Sequence, residues 1–469
     1  MRLLSTREAR SRDAAASLTT AVSASSDLML EDGDRVAVVG GGPAGSFFAY
    51  FLLKIAAMVD LRLDVDLYEP RAFTRSGPGG CNHCGGIVSE SLVQILAAEG
   101  IKLPPEVIQS GIESYVVHMD VGSVPIASPA RESRIAALYR ADGPRGGDGL
   151  AGISFDGYLQ KLAVEKGARV VRKLVTGVAW HDGRPHVREA DGTETRYDLV
   201  TVATGVNSNL LASIDGFPSP PDRPRTTRTY ITELKSTREE IERALGHSMH
   251  VFLLDIPRLE FAALIPKGEY VTMVMLGDEI DLELIHRFLE SPVVRPVLPA
   301  DASLAACACS PLINMGGMKQ PYAERLLLIG DSGITRLYKD GIGAAFRTAK
   351  AAAMTAVLQG VSKEAFARDY WPSCQTIAND NAIGRLIFMT TTLLKRLRFS
   401  RRAILAMTRR EQEEAGRMPR MSAVLWNMFT GSAPYREIFL DTLRPGFLGN
   451  LALNMVTALR PSNGSGKGV

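Results

Sequence analysis

An unbroken apolar run, Val36-Ala37-Val38-Val39, opens the patterned part of the chain after Arg35. Apolar runs without alternation suit strands buried on both faces, the habit of parallel sheets. A glycine-rich turn follows, Gly40 to Gly45, and then an apolar stretch, Ser46 to Lys54, predicts a buried helix. Leu61 to Tyr68 predict a second strand, ending in Glu69-Pro70. The unit reads as strand, glycine turn, helix, strand. Two more buried strands end in small residues. Asp198 to Thr204 run into Gly205, and Arg325 to Ile329 run into Gly330-Asp331, ahead of a small-residue helix from Gly341 to Val357.

Between these lie other patterns. One or two strands are predicted within 114–126, a helix from Phe155 to Lys166, and one or two strands from Ala168 to Ala179 with a hairpin near Asp182-Gly183. Strand-like runs recur at Thr229 to Leu234, His250 to Leu254, Phe261 to Ile265 and Tyr270 to Leu276, with a helical run from Leu282 to Glu290. From about 361 onward the pattern is helical, punctuated by Pro372, Pro419, Pro434, Pro445 and Pro461. The expected organisation is a mobile leader (1–34), a discontinuous nucleotide-binding unit (35–225 and 311–360), an antiparallel sheet unit (226–310, with strands from 112–127) and a helical region (361–469).

Composition narrows the field. At 469 residues with 46% apolar and 22% charged residues, the chain is of globular type. A net charge of +3 gives no argument for nucleic acid. It hides an asymmetry, because residues 385–460 carry 13 Lys/Arg against 5 Asp/Glu. Five cysteines are too few for a disulfide scaffold. No apolar run reaches the ~18 residues of a membrane span, and the N-terminus lacks the apolar core of a secretory signal. The expected location is the cytoplasm, or its membrane face.

Gly40-Gly41-Gly42-Pro43-Ala44-Gly45 fits G-x-G-x-x-G between a buried strand and a helix, with Glu69 closing the next strand. Such glycines allow a tight turn and close approach of backbone N–H groups to a pyrophosphate at a helix N-terminus. An acidic residue about 20 positions on accepts ribose hydroxyls; Glu69 stands 24 past Gly45. A second match, Gly147 to Gly152, follows no buried strand and reads as a surface loop.

Three signals in order carry a resemblance: Gly40 to Gly45 with Glu69, Ala203-Thr204-Gly205, and Gly330-Asp331 followed by Asp340-Gly341-Ile342-Gly343. This order resembles FAD-dependent oxidoreductases of the aromatic-hydroxylase fold, and within them the geranylgeranyl reductase family. The resemblance covers about 35–360. It implies an α/β fold, with an FAD-binding Rossmann-type three-layer domain, an inserted antiparallel β substrate domain and a helical C-terminal region. It implies FAD held at Gly40, Gly42, Pro43, Ala44, Gly45 and Glu69. Asp331 with Gly330 and Gly205 would lie near the pyrophosphate, and Gly341, Ile342 and Gly343 beside the isoalloxazine ring. Cys84-Gly85-Gly86 matches a family segment near the flavin. Cys84 and Tyr338 are the candidate catalytic residues, Cys84 as substrate-positioning group or general acid, and Tyr338 with Lys339 as candidates for lining the pocket. Two departures stand out: Arg336-Leu337-Tyr338-Lys339 replaces an Asn-Pro turn, and Cys81 adds a second cysteine. The implied activity is reduction of C=C bonds in a prenyl-type lipid, with electrons from NADPH or a ferredoxin-like protein. A monooxygenase on the same fold, or a redox flavoprotein using Cys81 and Cys84, are the alternatives.

Cys81/Cys84 and Cys307/Cys309 also admit a dithiol relay, a zinc or iron–sulfur site, or inert burial; no metal is expected. Arg134, Arg140 and Arg145 are candidates for phosphate contact, and His118, His250 and His286 read as structural. The basic, apolar stretch 385–410 reads either as a peripheral membrane contact or as a helical cap packed on the body.

Overall fold

The computed structural model describes residues 28–73, 84–128, 135–141, 154–215, 224–414 and 420–459, with backbone alone at 303–307. Cys81, His83, Arg134, Arg145, the second glycine motif and most of the expected leader lie outside the described residues.

A six-stranded sheet runs in the order Tyr322–Ala323, Leu326–Leu328, Leu199–Val202, Arg35–Val39, Asp64–Tyr68, Arg169–Val171. All its pairings are parallel except the first. Its central strands lack alternation because both faces are covered. On one side pack the helices Pro43–Met58, Gly341–Leu358 and Phe155–Glu165. Phe346 meets Phe47 and Phe51 edge-on there, at 5.5 and 5.3 Å. On the other lies a three-stranded antiparallel sheet, Val175–His181, Arg184–Glu189 and Glu194–Arg196. Its hairpin turns at Asp182-Gly183, both at positive φ. This gives three layers around the first strand.

A seven-stranded sheet forms the second body: Ser303–Cys309, Tyr230–Lys235, Tyr270–Gly277, Leu259–Lys267, Ser248–Phe252, Ser114–Met119, Gly122–Ala127. Ser114–Met119 and Gly122–Ala127 belong to it, and Ser248–Phe252 pairs with Ser114–Met119 in parallel, so the sheet is mixed and not antiparallel throughout. The two strands are separated by more than a hundred residues, which include two strands of the first sheet, and a long crossover permits parallel pairing where a hairpin does not. The helices Arg238–Leu245 and Leu282–Leu289 cover one face. All eight residues of Tyr270–Gly277 are buried, so the opposite face is covered too. A small sheet of Ile87–Val88, Ile135–Leu138 and Ile108–Ile112 was not legible as strands.

The C-terminal helices Trp371–Arg396, Arg398–Glu413, Arg420–Thr430, Tyr435–Thr442 and Pro445–Leu459 pack on that sheet. Trp426 stacks on Tyr115 at 4.7 Å and donates to Glu90 Oε1 at 2.9 Å. Part of the basic cluster turns inward. Lys395 is buried and donates to the carbonyls of Leu259 and Glu260 at 2.6 and 2.7 Å. Arg401 is buried between Asp120 and Asp255, each at 3.3 Å. A long side chain reaching backbone carbonyls or carboxylates fixes a helix to its support. Leu386, Met389 and Leu393 remain exposed. Among the described residues no helix is long and apolar enough to cross a membrane.

Candidate functional site

The glycine turn is built by close backbone approach. Gly40 has φ +108°, and a Cβ there would lie 2.6 Å from the Ala203 carbonyl oxygen. A Cβ on Gly45 would lie 1.9 Å from the Gly40 carbonyl oxygen. Gly45 therefore sits beneath the turn, where it lets the helix press on the strand, while Gly40, Gly42, Pro43 and Ala44 line the cavity above. The helix that starts at Pro43 has neither a side-chain cap nor an acidic residue in its first turn. Its dipole is left for an anion to complement. Glu69 is buried at the rim, accepting from the Gly41 N–H and from Arg71, each at 3.1 Å.

The second and third signals meet the first. The Gly205 N–H donates to Ser332 Oγ at 2.8 Å, tying that turn to the Gly-Asp segment. Gly330, at φ +58°, would place a Cβ 2.7 Å from that of Ala44, so it too serves close packing. Asp331 lines the cavity; burial raises its carboxyl above the usual range, against the pull of Thr335 and the Arg140 charge. Asp340 caps the helix Gly341–Leu358 from a left-handed conformation (φ 52°), accepting from Gly343 N–H at 3.1 Å. A Cβ on Gly343 would collide with this carboxylate. Arg336 and Arg347 pair with Asp340. Gly341 and Ile342 line the cavity.

These residues surround one cavity of about 540 Å³. Its polar end is the glycine turn with Glu69, Asp331 and the Arg140–Asp156 pair (2.7 Å). Its other end is apolar, walled by Ile231, Met249, Ala263, Ile265, Val274 and Leu276 of the seven-stranded sheet. Cys84, Gly85 and Gly86 also line it, and a Cβ on Gly85 would contact Ile265 and Val274 at 3.3 and 3.4 Å. Cys84 is a free, half-buried thiol whose sulfur accepts from the Gly86 N–H at 3.4 Å. Tyr338, at φ 60°, lines the wall and meets Phe388 edge-on at 4.8 Å; burial raises its hydroxyl pKa. Among the described residues Thr204 Oγ1 is buried without a hydrogen-bond partner, as a group that takes a polar ligand would be. A glycine cradle, an uncapped helix and an orphaned hydroxyl at one end of a long cavity fit a dinucleotide.

Some contributors were not foreseen. Phe429 and Thr430 reach the cavity from a C-terminal helix. Lys339, a pocket candidate from the sequence along with Tyr338, does line the cavity; it is buried, donates to the Asn427 carbonyl at 2.9 Å and lies 4.0 Å from the Tyr435 ring centre. Burial and the neighbouring Arg336 charge push its pKa well down. Other sequence candidates lie apart from the cavity. His118 and His250 face each other at 2.9 Å within the second sheet. Cys309 is held in a disulfide, which withdraws it from a four-thiolate metal set. Among the described residues no group of His, Cys, Asp or Glu is placed to hold a metal.

No family model matches the chain, and no curated protein matches it in sequence. Solved structures do. The chain is similar to a geranylgeranyl bacteriochlorophyll reductase-like protein from Thermoplasma acidophilum, with TM-score 0.57 and 18% identity over 91% of this chain and 100% of that one. It is similar to halogenase PltM in complex with phloroglucinol and FAD, with TM-score 0.56 and 13% identity over 91% of each chain. It is also similar to a 2-methyl-3-hydroxypyridine-5-carboxylic acid oxygenase, with TM-score 0.55 and 19% identity over 76% of this chain and 93% of that one. At these identities the likeness is one of fold, and the chain has the mixed α/β fold these enzymes share.

Proposed function

We propose that this chain is an FAD-dependent oxidoreductase that reduces C=C bonds of a prenyl-type lipid. The observation that carries the reading is the single cavity joining a dinucleotide cradle to an apolar chamber, with a free thiol in its wall. Gly40, Gly42, Pro43 and Ala44 would hold the pyrophosphate and Glu69 the adenosine ribose. Asp331 and Thr204 would bond the polar linker, with Gly341 and Ile342 at the ring. Bound FAD, once reduced, supplies hydride. The chain's own part is orientation, exclusion of water and the proton. The apolar walls Ile231, Met249, Ile265 and Val274 take an isoprenoid and keep water out. Cys84 holds the proton destined for the second carbon.

Cys84→Ala is expected to retain FAD and lose turnover of a prenyl lipid by at least about 100-fold, the usual scale of a lost general acid. Unchanged turnover would remove Cys84 from the reaction. The electron donor is NADPH or a ferredoxin-like protein, and anaerobic titration with NADPH separates the two. A monooxygenase is the second reading, favoured by the fold shared with an oxygenase. Oxygen uptake coupled to substrate would select it. For a lipid substrate, the exposed Leu386, Met389 and Leu393 supply a membrane-facing surface. Met389→Glu with Leu393→Glu is expected to reduce co-sedimentation with anionic liposomes several-fold. Equal sedimentation would favour the purely structural cap.

A further inference from the structure

Lys267 ends the strand Leu259–Lys267, and its side chain is wholly buried. Its ammonium has no hydrogen-bond partner among the described residues. The Tyr139 hydroxyl donates to its backbone carbonyl at 3.0 Å, and the Tyr139 ring centre lies 5.3 Å from Nζ. A Cβ on Gly86 would come within 2.9 Å of Nζ. The same Gly86 donates its N–H to Cys84 Sγ. Thiol and ammonium therefore pack on one glycine, the thiol in the cavity wall and the ammonium outside the lining. Gly86 has φ +65°, and a Cβ there would also strike the Leu138 carbonyl. Residue 86 can therefore carry no side chain between the two groups.

Three charged or ionisable side chains besides Tyr139 bear on Lys267. Burial lowers its pKa, the charges of Glu233 and Cys84 oppose that shift, and Arg140 adds to it. Glu233 is buried and accepts from Thr272 Oγ1 at 2.7 Å. Arg140 is engaged with Asp156 through two hydrogen bonds. An ammonium buried without a hydrogen-bonded counter-ion is costly.

We propose that Lys267 is the counter-ion of the Cys84 thiolate, holding the charge that develops on sulfur when Cys84 gives up its proton. The proposal rests on the reading of Cys84 as proton donor. In that step the S–H bond breaks and a C–H bond forms at the substrate carbon. The electron pair stays on sulfur, the hydride at the other carbon would be supplied by FAD once bound and reduced, and a solvent proton later restores the thiol. Lys267 touches neither substrate nor cavity, so it is a positioning residue acting through Cys84.

The test is the pH profile of Cys84 alkylation by iodoacetamide in the FAD-loaded protein, read peptide by peptide by mass spectrometry. An opposite charge at short range shifts a titration by about one unit or more. Lys267→Met is therefore expected to move the profile to higher pH and to slow alkylation at pH 7 several-fold. Lys267→Arg, which keeps the charge, is expected to stay within about threefold of the parent. Lys267→Met is expected to melt no lower than the parent, since it replaces an unpaired buried charge with an apolar chain. If it does not fold, Lys267→Gln carries the same comparison. Superposed profiles for the parent and the neutral variants would overturn the proposal, as would an arginine variant as slow as the neutral ones. The readout needs no substrate. Loss of turnover in Cys84→Ala with an unchanged profile in Lys267→Met would keep the proton-donor reading and sink this one.

Discussion

Lowering the pH from 6.5 to 4 is expected to strip several kcal/mol from the stability of this protein through two histidines remote from the cavity. His118 and His250 are buried, with Nε2 of the first 2.9 Å from Nδ1 of the second. His250 Nε2–H donates to the Leu245 carbonyl at 3.3 Å, which leaves its Nδ1 to accept from His118 Nε2–H. His118 Nδ1 then accepts from Ser123 Oγ at 2.7 Å. Each ring carries one proton, and the chain of bonds is complete only when both are neutral. Both pKa values fall from 6.5 to about 4, chiefly through burial, with the facing ring's charge adding to it at His118 and the Leu245 carbonyl opposing it at His250. Between those limits the unfolded chain binds more protons than the folded one, so stability falls as pH falls. At 1.36 kcal/mol per unit the effect is on the order of 3 kcal/mol per ring. Urea unfolding at a series of pH values should show this slope. The double variant His118→Phe/His250→Phe should lose most of it, leaving the carboxylate contribution near pH 4. A parallel slope in the double variant would show that the pair does not titrate as described.

The second large effect is steric. Gly45→Ala places a methyl group 1.9 Å from the Gly40 carbonyl oxygen and 3.2 Å from Val38 Cγ1. The colliding atom is backbone of the turn itself, which cannot rotate away. Relief requires the helix Pro43–Met58 to lift from the central strand, and that helix carries Phe47 and Phe51 of the first core. A destabilisation of about 3 kcal/mol or more is expected, with loss of FAD binding. Gly205→Ala is the control. It has positive φ (+72°) but nothing within 4 Å, so only about 1–2 kcal/mol of backbone strain is expected. Thermal melting of both variants with and without added FAD would show the difference. Equal losses would mean that the close approach at Gly45 is not what holds the turn.

What the chain made legible was local. Gly40 to Gly45, Glu69, Gly330-Asp331 and Gly341 stand in short segments at the end of a buried strand or the start of a helix, and that spacing is readable along the chain even where the close approach itself, as of Gly40 to Ala203, is to a distant segment. The continuous apolar runs at 35–39, 199–202 and 326–328 told of a sheet covered on both faces, because no polar face was left in them. What stayed hidden depends on long separations. His118 and His250 stand 132 residues apart and meet only because their strands pair in parallel. Phe429 and Thr430 enter the cavity from a region that carries no motif. Lys267 looks like a polar residue before a turn, and only the structure shows it buried behind Gly86. One omission had a signal. Thr237 and Glu240 form the beginnings of a capping box, and Thr237 Oγ1 does cap the helix Arg238–Leu245.

Every proposed role of these residues depends on a bound dinucleotide. The most direct measurement is the absorption spectrum of the purified full-length protein after incubation with FAD and removal of free cofactor. The account predicts flavin bands at about one equivalent per chain, retained in Cys84→Ala and lost in Gly45→Ala. Absence of flavin from the folded parent protein at micromolar FAD would contradict it.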